Sequence, residues 1–322
     1  QLTKKPFALN PDPAFYYGSK EHSRVLAYLR YGINQGEGFI VVSGDVGAGK
    51  TTLIGALLEE LGKNEDIIAA QLVTTQLLPD DLLRMVASSF GLRYEKMTKS
   101  ELLKEIESFL YKQSEKGKRV LLIVDEAQNL ERHSLEELRM LSNFQNGTHS
   151  LLQSFLLGQG EFRDTLRQQN LEQFRQRIIA SYHLGPMVKS EIKNYIEHRM
   201  KKAGWKSDPH FANEVFAEIY RYTDGIPRRI NTLCDRVLLH AFTEESHDIT
   251  LGTMEAVVSE LDEELHFSRD DADNSLSGKG MQSSTVVSGE VGELISSLEK
   301  RVSNLEDVIL KGQAFLKALI DK

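Results

Sequence analysis

The sequence predicts an α/β protein, a parallel sheet sandwiched by helices and followed by an all-helical domain. Three observations predict it. Apolar runs of strand length alternate with segments of helical period through residue 184, the signature of a parallel sheet with crossover helices. One such run, Phe-Ile-Val-Val-Ser at 39–43, leads into Gly44-Asp-Val-Gly-Ala-Gly-Lys-Thr-Thr52. Another, Val-Leu-Leu-Ile-Val at 120–124, ends in Asp125-Glu126.

The elements follow in order. Strands are expected at 39–43, 67–73, 120–125, 151–157 and 179–184. Helices are expected between them at 22–31, 50–61, 80–90, 100–114 and 134–142. The first strand is a short apolar, β-branched run, and Leu53, Ile54, Leu57, Leu58 and Leu61 then recur at helical spacing. The run at 120–124 is wholly apolar and bounded by charges, as suits a central strand covered on both faces. After Gly185-Pro186 the pattern turns all-helical, with helices expected at 189–203, 213–223, 228–243 and 251–265. Ser, Asp and Gly then dominate 268–289, which reads as a flexible linker. From Val291 to Leu319 apolar residues step by fours and threes, broken at Gly312. That spacing fits a short coiled coil, or a single amphipathic helix packed on the body. The expected domains are 1–185, 186–267, the linker 268–289 and the coiled coil 290–322.

The chemistry sits on the first and third strands. Gly44-Asp-Val-Gly-Ala-Gly-Lys-Thr is a full G-x-x-x-x-G-K-T phosphate loop in strand–turn–helix context. Its glycines, Gly44, Gly47 and Gly49, let the backbone curl, so that amides along Asp45, Val46, Ala48 and Thr52 point inward at phosphates. The following helix adds its positive N-terminal end. Lys50 can reach the β- and γ-phosphates of ATP, and the Thr51 hydroxyl can ligate Mg²⁺. Asp125 lies at the C-terminal tip of its strand, where such sheets bind ligands, and is expected to hold Mg²⁺ through water. Glu126 is placed to polarise the attacking water.

Composition sets bounds. The chain has 322 residues and a net charge of −8, which argues against nucleic acid as the main partner. No apolar stretch reaches membrane-spanning length and no signal-peptide pattern opens the chain, so a cytoplasmic location is expected. The first residue is Gln1, so the natural start is expected upstream. The single cysteine, Cys234, excludes an internal disulfide and falls in an apolar helical pattern, as a buried core thiol would.

A phosphate loop, an Asp-Glu strand end and Gly225-Ile-Pro-Arg-Arg-Ile-Asn231 in the helical region together resemble an AAA+ ATPase. More narrowly, the chain resembles the GspA/ExeA-type ATPases of general secretion. Pro6-Phe-Ala-Leu-Asn-Pro-Asp-Pro13, Gln128, Leu157-Gly-Gln-Gly-Glu161 and Gln176-Arg-Ile178 carry that likeness. Tyr28-Leu-Arg-Tyr-Gly-Ile33, Leu138-Arg-Met-Leu-Ser-Asn-Phe144 and Arg229-Ile-Asn-Thr-Leu-Cys-Asp235 resemble the ATPase associated with exosortase/PEP-CTERM and exopolysaccharide loci. The match covers residues 1–265. The resemblance implies an ATPase that self-associates, with a protein partner in envelope export or polysaccharide synthesis. It implies that Gln159 is the sensor touching the γ-phosphate or lytic water, and that Arg228 is the lid arginine, with Arg229 its competitor. It implies an arginine finger acting on a neighbouring subunit at Arg177 or Arg175, with Arg177 favoured by the Gln-Arg-Ile motif. Residues 6–13 would lie against the adenine or serve as an N-terminal brace. The wider family continues into a membrane span and a peptidoglycan-binding region; no such pattern stands in these 322 residues, so the resemblance is not expected to extend to a cell-wall role.

The competing reading is a DNA-associated ATPase of the transposition-helper type, which shares this core but adds a winged helix or basic surface. The acidic charge and the heptads after the helical domain favour the export reading. A third reading, a nucleotide-sensing scaffold with little turnover, is opposed by the intact Glu126.

Overall fold

The computed structural model describes residues 2–10, 12–73, 79–147 and 149–276. A 3₁₀ turn at Pro13–Phe15 precedes α1 (Lys20–Gln35), β1 (Phe39–Gly44), α2 (Lys50–Leu61), β2 (Ile67–Val73), α3 (Pro79–Ser89) and α4 (Lys99–Glu115). Then come β3 (Arg119–Asp125), α5 (Arg132–Leu141), a small hairpin of β4 (Gln145–Asn146) and β5 (His149–Ser150), and β6 (Leu152–Gly158). Short helices α6 (Gly160–Arg167) and α7 (Glu172–Arg175) lead to β7 (Ile178–Leu184). The helical part holds α8 (Lys189–Lys202), β8 (His210–Phe211), α9 (Val215–Thr223), α10 (Pro227–Thr243), β9 (Asp248–Ile249) and α11 (Leu251–Leu276).

The five long strands form one parallel sheet in the order β2-β3-β6-β1-β7. Alternation along β1 divides the core. Phe39 and Val41 face the layer of α3, α4 and α5, whereas Ile40 and Val42 face α1 and α2. Every residue of β1 is buried, as a strand covered on both faces requires. The order also sets the site. β6 lies between β1 and β3, so the ends of all three strands converge at one edge of the sheet.

The helical domain has its own core, built from α8, α9, α10 and the start of α11, with Cys234 fully buried in it. Phe7 from the N-terminal segment joins that core, and Arg199 of α8 donates to the Pro6 carbonyl at 2.7 Å. Pro6 and Phe7 therefore brace the helical domain.

The chain divides into two compact units at Leu261, so the sheet and most of the helical domain share one unit. α11 continues to Leu276, nine residues into the stretch 268–289 expected as linker. No glycine or proline occurs from 253 to 277, so nothing in the sequence interrupts the helix there. The rest of that stretch and the heptads at 290–322 lie outside the described residues. Among the described residues, no helix is long and apolar enough to cross a membrane.

Candidate functional site

The phosphate loop is pressed between two neighbours that leave no room for side chains. Gly47 and Gly49 have φ of 82° and 96°, a region L-residues seldom adopt. A Cβ on Gly47 would stand 2.4 Å from the Arg228 Cβ, and one on Gly49 2.7 Å from His22 Nε2. His22 is buried on α1, its Nδ1 2.7 Å from Ser19 Oγ. The Arg228 amide donates to the Gly47 carbonyl at 3.1 Å, tying the first turn of α10 to the loop.

Lys50 is buried at the start of α2, and its Nζ donates to the Gly44 and Asp45 carbonyls at 2.6 and 3.0 Å. Burial lowers its pKa, and the charges of Glu126 and Asp125 oppose that shift. The Thr51 hydroxyl donates to Asp125 Oδ2 at 3.0 Å, and the Glu126 amide donates to Asp125 Oδ1 at 3.0 Å. Burial raises the Asp125 pKa, against the pull of those two donors. A hydroxyl beside a carboxylate is a hard-oxygen donor pair that suits Mg²⁺. No group of three or more His, Cys, Asp or Glu able to hold a metal exists among the described residues.

Glu126 follows β3 in the left-handed conformation, φ 55° and ψ 39°, before the 3₁₀ turn Ala127–Asn129. Its Oε2 accepts from Gln128 Nε2 at 2.5 Å and from Gln159 Nε2 at 3.2 Å. The Gln159 amide donates to Gln128 Oε1 at 3.0 Å, which locks the two glutamines together. Burial pushes the Glu126 pKa up. The two amide donors and Lys50 outweigh it, and the carboxyl ends below its ordinary range.

These groups open onto a cleft of about 320 Å³ between the sheet and the helical domain. Val46, Gly47, Gly49, Lys50, Thr51 and Thr52 form its floor, with Glu126 and Gln159 beside them. Arg228, Asn231 and Tyr195 enter from the helical domain, and Leu9 and Phe15 from the N-terminal segment. Of the two lid arginines, Arg228 lines the cleft, whereas Arg229 pairs with Asp224 at 3.2 Å. Arg175 and Arg177 do not line this chain's own cleft. Arg175 donates to the Leu166 and Gln168 carbonyls at 2.7 and 2.5 Å, and Arg177 to the Ser142 carbonyl at 3.1 Å.

Sequence reasoning assigned no role to Gln128, His22, Tyr195 or Asn231. Gln128 reaches Glu126 through a turn whose geometry no spacing rule fixes. Asn231 had a signal, since it follows Arg228 by three residues and so shares its helix face.

Residues 33–166 match the family model described as an AAA domain. The chain is 38% identical over 261 residues to General secretion pathway protein A of Aeromonas hydrophila. That match takes in 81% of this chain but 47% of the relative, so the chain spans about half the relative's length. Among solved structures, the Aeropyrum pernix ORC1 protein in complex with DNA aligns with TM-score 0.59 at 14% identity, covering 80% of this chain and 69% of that one. The Aeropyrum pernix ORC2 protein in its ADPNP–ADP complexes aligns with TM-score 0.58 at 14% identity, over 80% and 71%. Cdc6p from Pyrobaculum aerophilum aligns with TM-score 0.58 at 16% identity, over 77% and 70%. At such identities the likeness is one of fold. Strand order, phosphate loop and family match thus converge: residues 33–166 resemble an AAA domain, and the chain carries the P-loop AAA fold with its helical domain set over the loop.

Proposed function

We propose that the protein is a Mg²⁺-dependent ATPase that hydrolyses ATP to ADP and phosphate and serves envelope export. The observation that carries this reading is one cleft shared by Lys50, Thr51 and Glu126, with Asp125 bonded to Thr51 at its edge. Each has a distinct task. The loop amides and Lys50 bind the phosphates. Thr51 and Asp125 would hold Mg²⁺, which when bound supplies positive charge against the β- and γ-phosphates. Glu126 stands as a carboxylate able to orient water and take its proton. Gln159, bonded to Glu126, is the γ-phosphate sensor, and Arg228 makes the position of the helical domain depend on that phosphate. Arg177, with Arg175 as alternative, acts in trans on a neighbouring subunit's nucleotide. The export role rests on the 38% identity to General secretion pathway protein A, and the narrower exopolysaccharide role on the motifs quoted above. On this reading the protein works in the cytoplasm, at the inner face of the membrane through partners.

A phosphate-release assay tests the core of it. The wild type is expected to release phosphate from ATP and to stop when EDTA removes Mg²⁺. Lys50→Ala is expected to lose tight ATP binding. Glu126→Gln is expected to bind ATP but turn over more slowly by on the order of 10²–10⁴. Equal rates for wild type and Glu126→Gln would remove Glu126 from its role.

A further inference from the structure

The helical domain gives the cleft a line of polar side chains that phosphate chemistry leaves unused. Tyr195 and Arg199 lie one turn apart on α8, and Asn231 lies one turn beyond Arg228 on α10. Arg199 Nη1 donates to Tyr195 Oη at 3.3 Å, and Tyr195 Oη donates to Asn231 Oδ1 at 2.7 Å. All three line the cleft, yet only 7% of Arg199, 4% of Tyr195 and 8% of Asn231 is exposed.

Arg199 fixes the direction of this relay. A guanidinium has no acceptor, so the Tyr195 oxygen must accept from it. The Tyr195 proton then goes to Asn231, which must receive it on Oδ1. The Asn231 NH₂ group is therefore turned the other way, with two donors to offer. Among the described residues nothing else bonds that nitrogen, and it is not one of the buried polar atoms shut off from solvent. Its donors open onto the cleft that Asn231 lines. Arg199 itself is held from behind by the Pro6 carbonyl at 2.7 Å and by the Phe15 ring, 5.2 Å from the guanidinium carbon.

The cleft thus has two ends of different chemistry. Lys50, Thr51 and Arg228 make a cationic, phosphate-seeking end. Phe15, Met187 and Tyr195 make an apolar, aromatic end that carries a donor-only amide. A nucleotide has the same polarity, with an anionic tail and a flat base whose ring nitrogens accept hydrogen bonds. We propose that Asn231 reads the nucleobase, its amide donating to a ring nitrogen of adenine while the Arg199–Tyr195 relay holds it in the donating orientation. Asn231 is the residue that contacts ligand; Tyr195 and Arg199 are positioning residues. This inference rests on the nucleotide reading above and adds a base-specific contact to it.

The test compares calorimetric binding of ATP, 1-deaza-ATP, 3-deaza-ATP, 7-deaza-ATP and inorganic tripolyphosphate. Each deaza analogue replaces one ring acceptor by C–H. The wild type is expected to lose roughly tenfold affinity for one analogue, the size of one net hydrogen bond. Asn231→Ala is expected to bind ATP roughly tenfold more weakly, to treat that analogue and ATP alike, and to keep wild-type affinity for tripolyphosphate. Tyr195→Phe, which frees the amide to flip, is expected to lose part of the discrimination. Equal wild-type affinity for all four nucleotides would overturn the inference, as would undiminished discrimination in Asn231→Ala. If Asn231→Ala does not fold, the wild-type series and Tyr195→Phe decide. A wild type that binds neither ATP nor tripolyphosphate would instead sink the nucleotide reading itself.

Discussion

Two glutamine amides help set the charge of Glu126. Burial is the largest single influence on that carboxyl and would protonate it; Gln128 and Gln159, which both donate to Oε2, outweigh it together with the Lys50 charge. A general base loses function as pH falls through its pKa. Gln128→Leu removes one donor, so the Glu126 pKa is expected to rise. The acid limb of the kcat/KM profile should then move to higher pH, and an unmoved limb would show that Gln128 leaves the base untouched. His22 offers a stability counterpart. Burial lowers its pKa below the ordinary 6.5, so the native state favours the neutral ring. The unfolded chain takes up a proton as pH falls through 6.5, whereas the native state takes it up only at lower pH. The stability His22 contributes is thus complete above pH 6.5 and declines below it. His22→Gln should flatten the fall in melting temperature between pH 7.5 and 5.5 relative to wild type, and an equal fall in both would refute this. Lys50 and Thr51, and Asp125 and Glu126, could be picked out as candidates in the sequence because each pair sits in a short local motif, although only the fold joins the two pairs. Gln128 and Asn231 were not assigned roles, because Gln128 reaches Glu126 across a turn and Asn231 reaches Tyr195 on another helix.

At the scale of elements, β1, β3 and β6 could be read because each is a strand-length run buried almost throughout, and β2 and β7, at the two ends of the sheet, because each opens on a pair of isoleucines. Their observed bounds shift by a residue at most at either end. The hairpin of β4 and β5 and the pair β8–β9 have two residues per strand, too few for any period to register. The start of α1 was set late because its cap, Ser19, lies ahead of the apolar stripe that reveals the helix. The contact between the phosphate loop and α10 is also invisible to local patterns, and it carries a prediction. Gly47→Ala forces a Cβ against the Arg228 side chain in a left-handed backbone. The cost is of order 1–3 kcal/mol, and α10 should be displaced from the loop. Thermal melting should drop and ATP binding should weaken together. Unchanged melting would show that the loop and α10 do not press on each other in solution.

For the whole molecule, the main question is assembly. Arg177 lies outside its own cleft and bonds the Ser142 carbonyl, so on the proposed reading it serves a neighbour. An arginine supplied in trans contributes on the order of 10³–10⁵ in rate in P-loop enzymes. Specific activity should therefore rise with protein concentration. Mixing inactive Arg177→Ala and Lys50→Ala chains should recover activity, because one mixed interface pairs an intact loop with an intact finger. No recovery from confirmed mixed assemblies would return Arg177 to a structural role. Deleting residues 286–322 should leave basal activity in place and reduce assembly or partner capture, as sedimentation would read.

The solitary thiol has a practical consequence. Cys234 is the one cysteine of the chain, fully enclosed in the helical core, and burial pushes its pKa up. In the closed molecule it is neither a thiolate nor reachable, so alkylating reagents find it only during openings of the core. Its labelling rate is thus a native stopwatch for the helical domain, with no engineered probe and no competing signal. Because α10 carries Cys234 together with Arg228 and Asn231, a bound nucleotide that grips those two should slow the stopwatch in proportion to its hold.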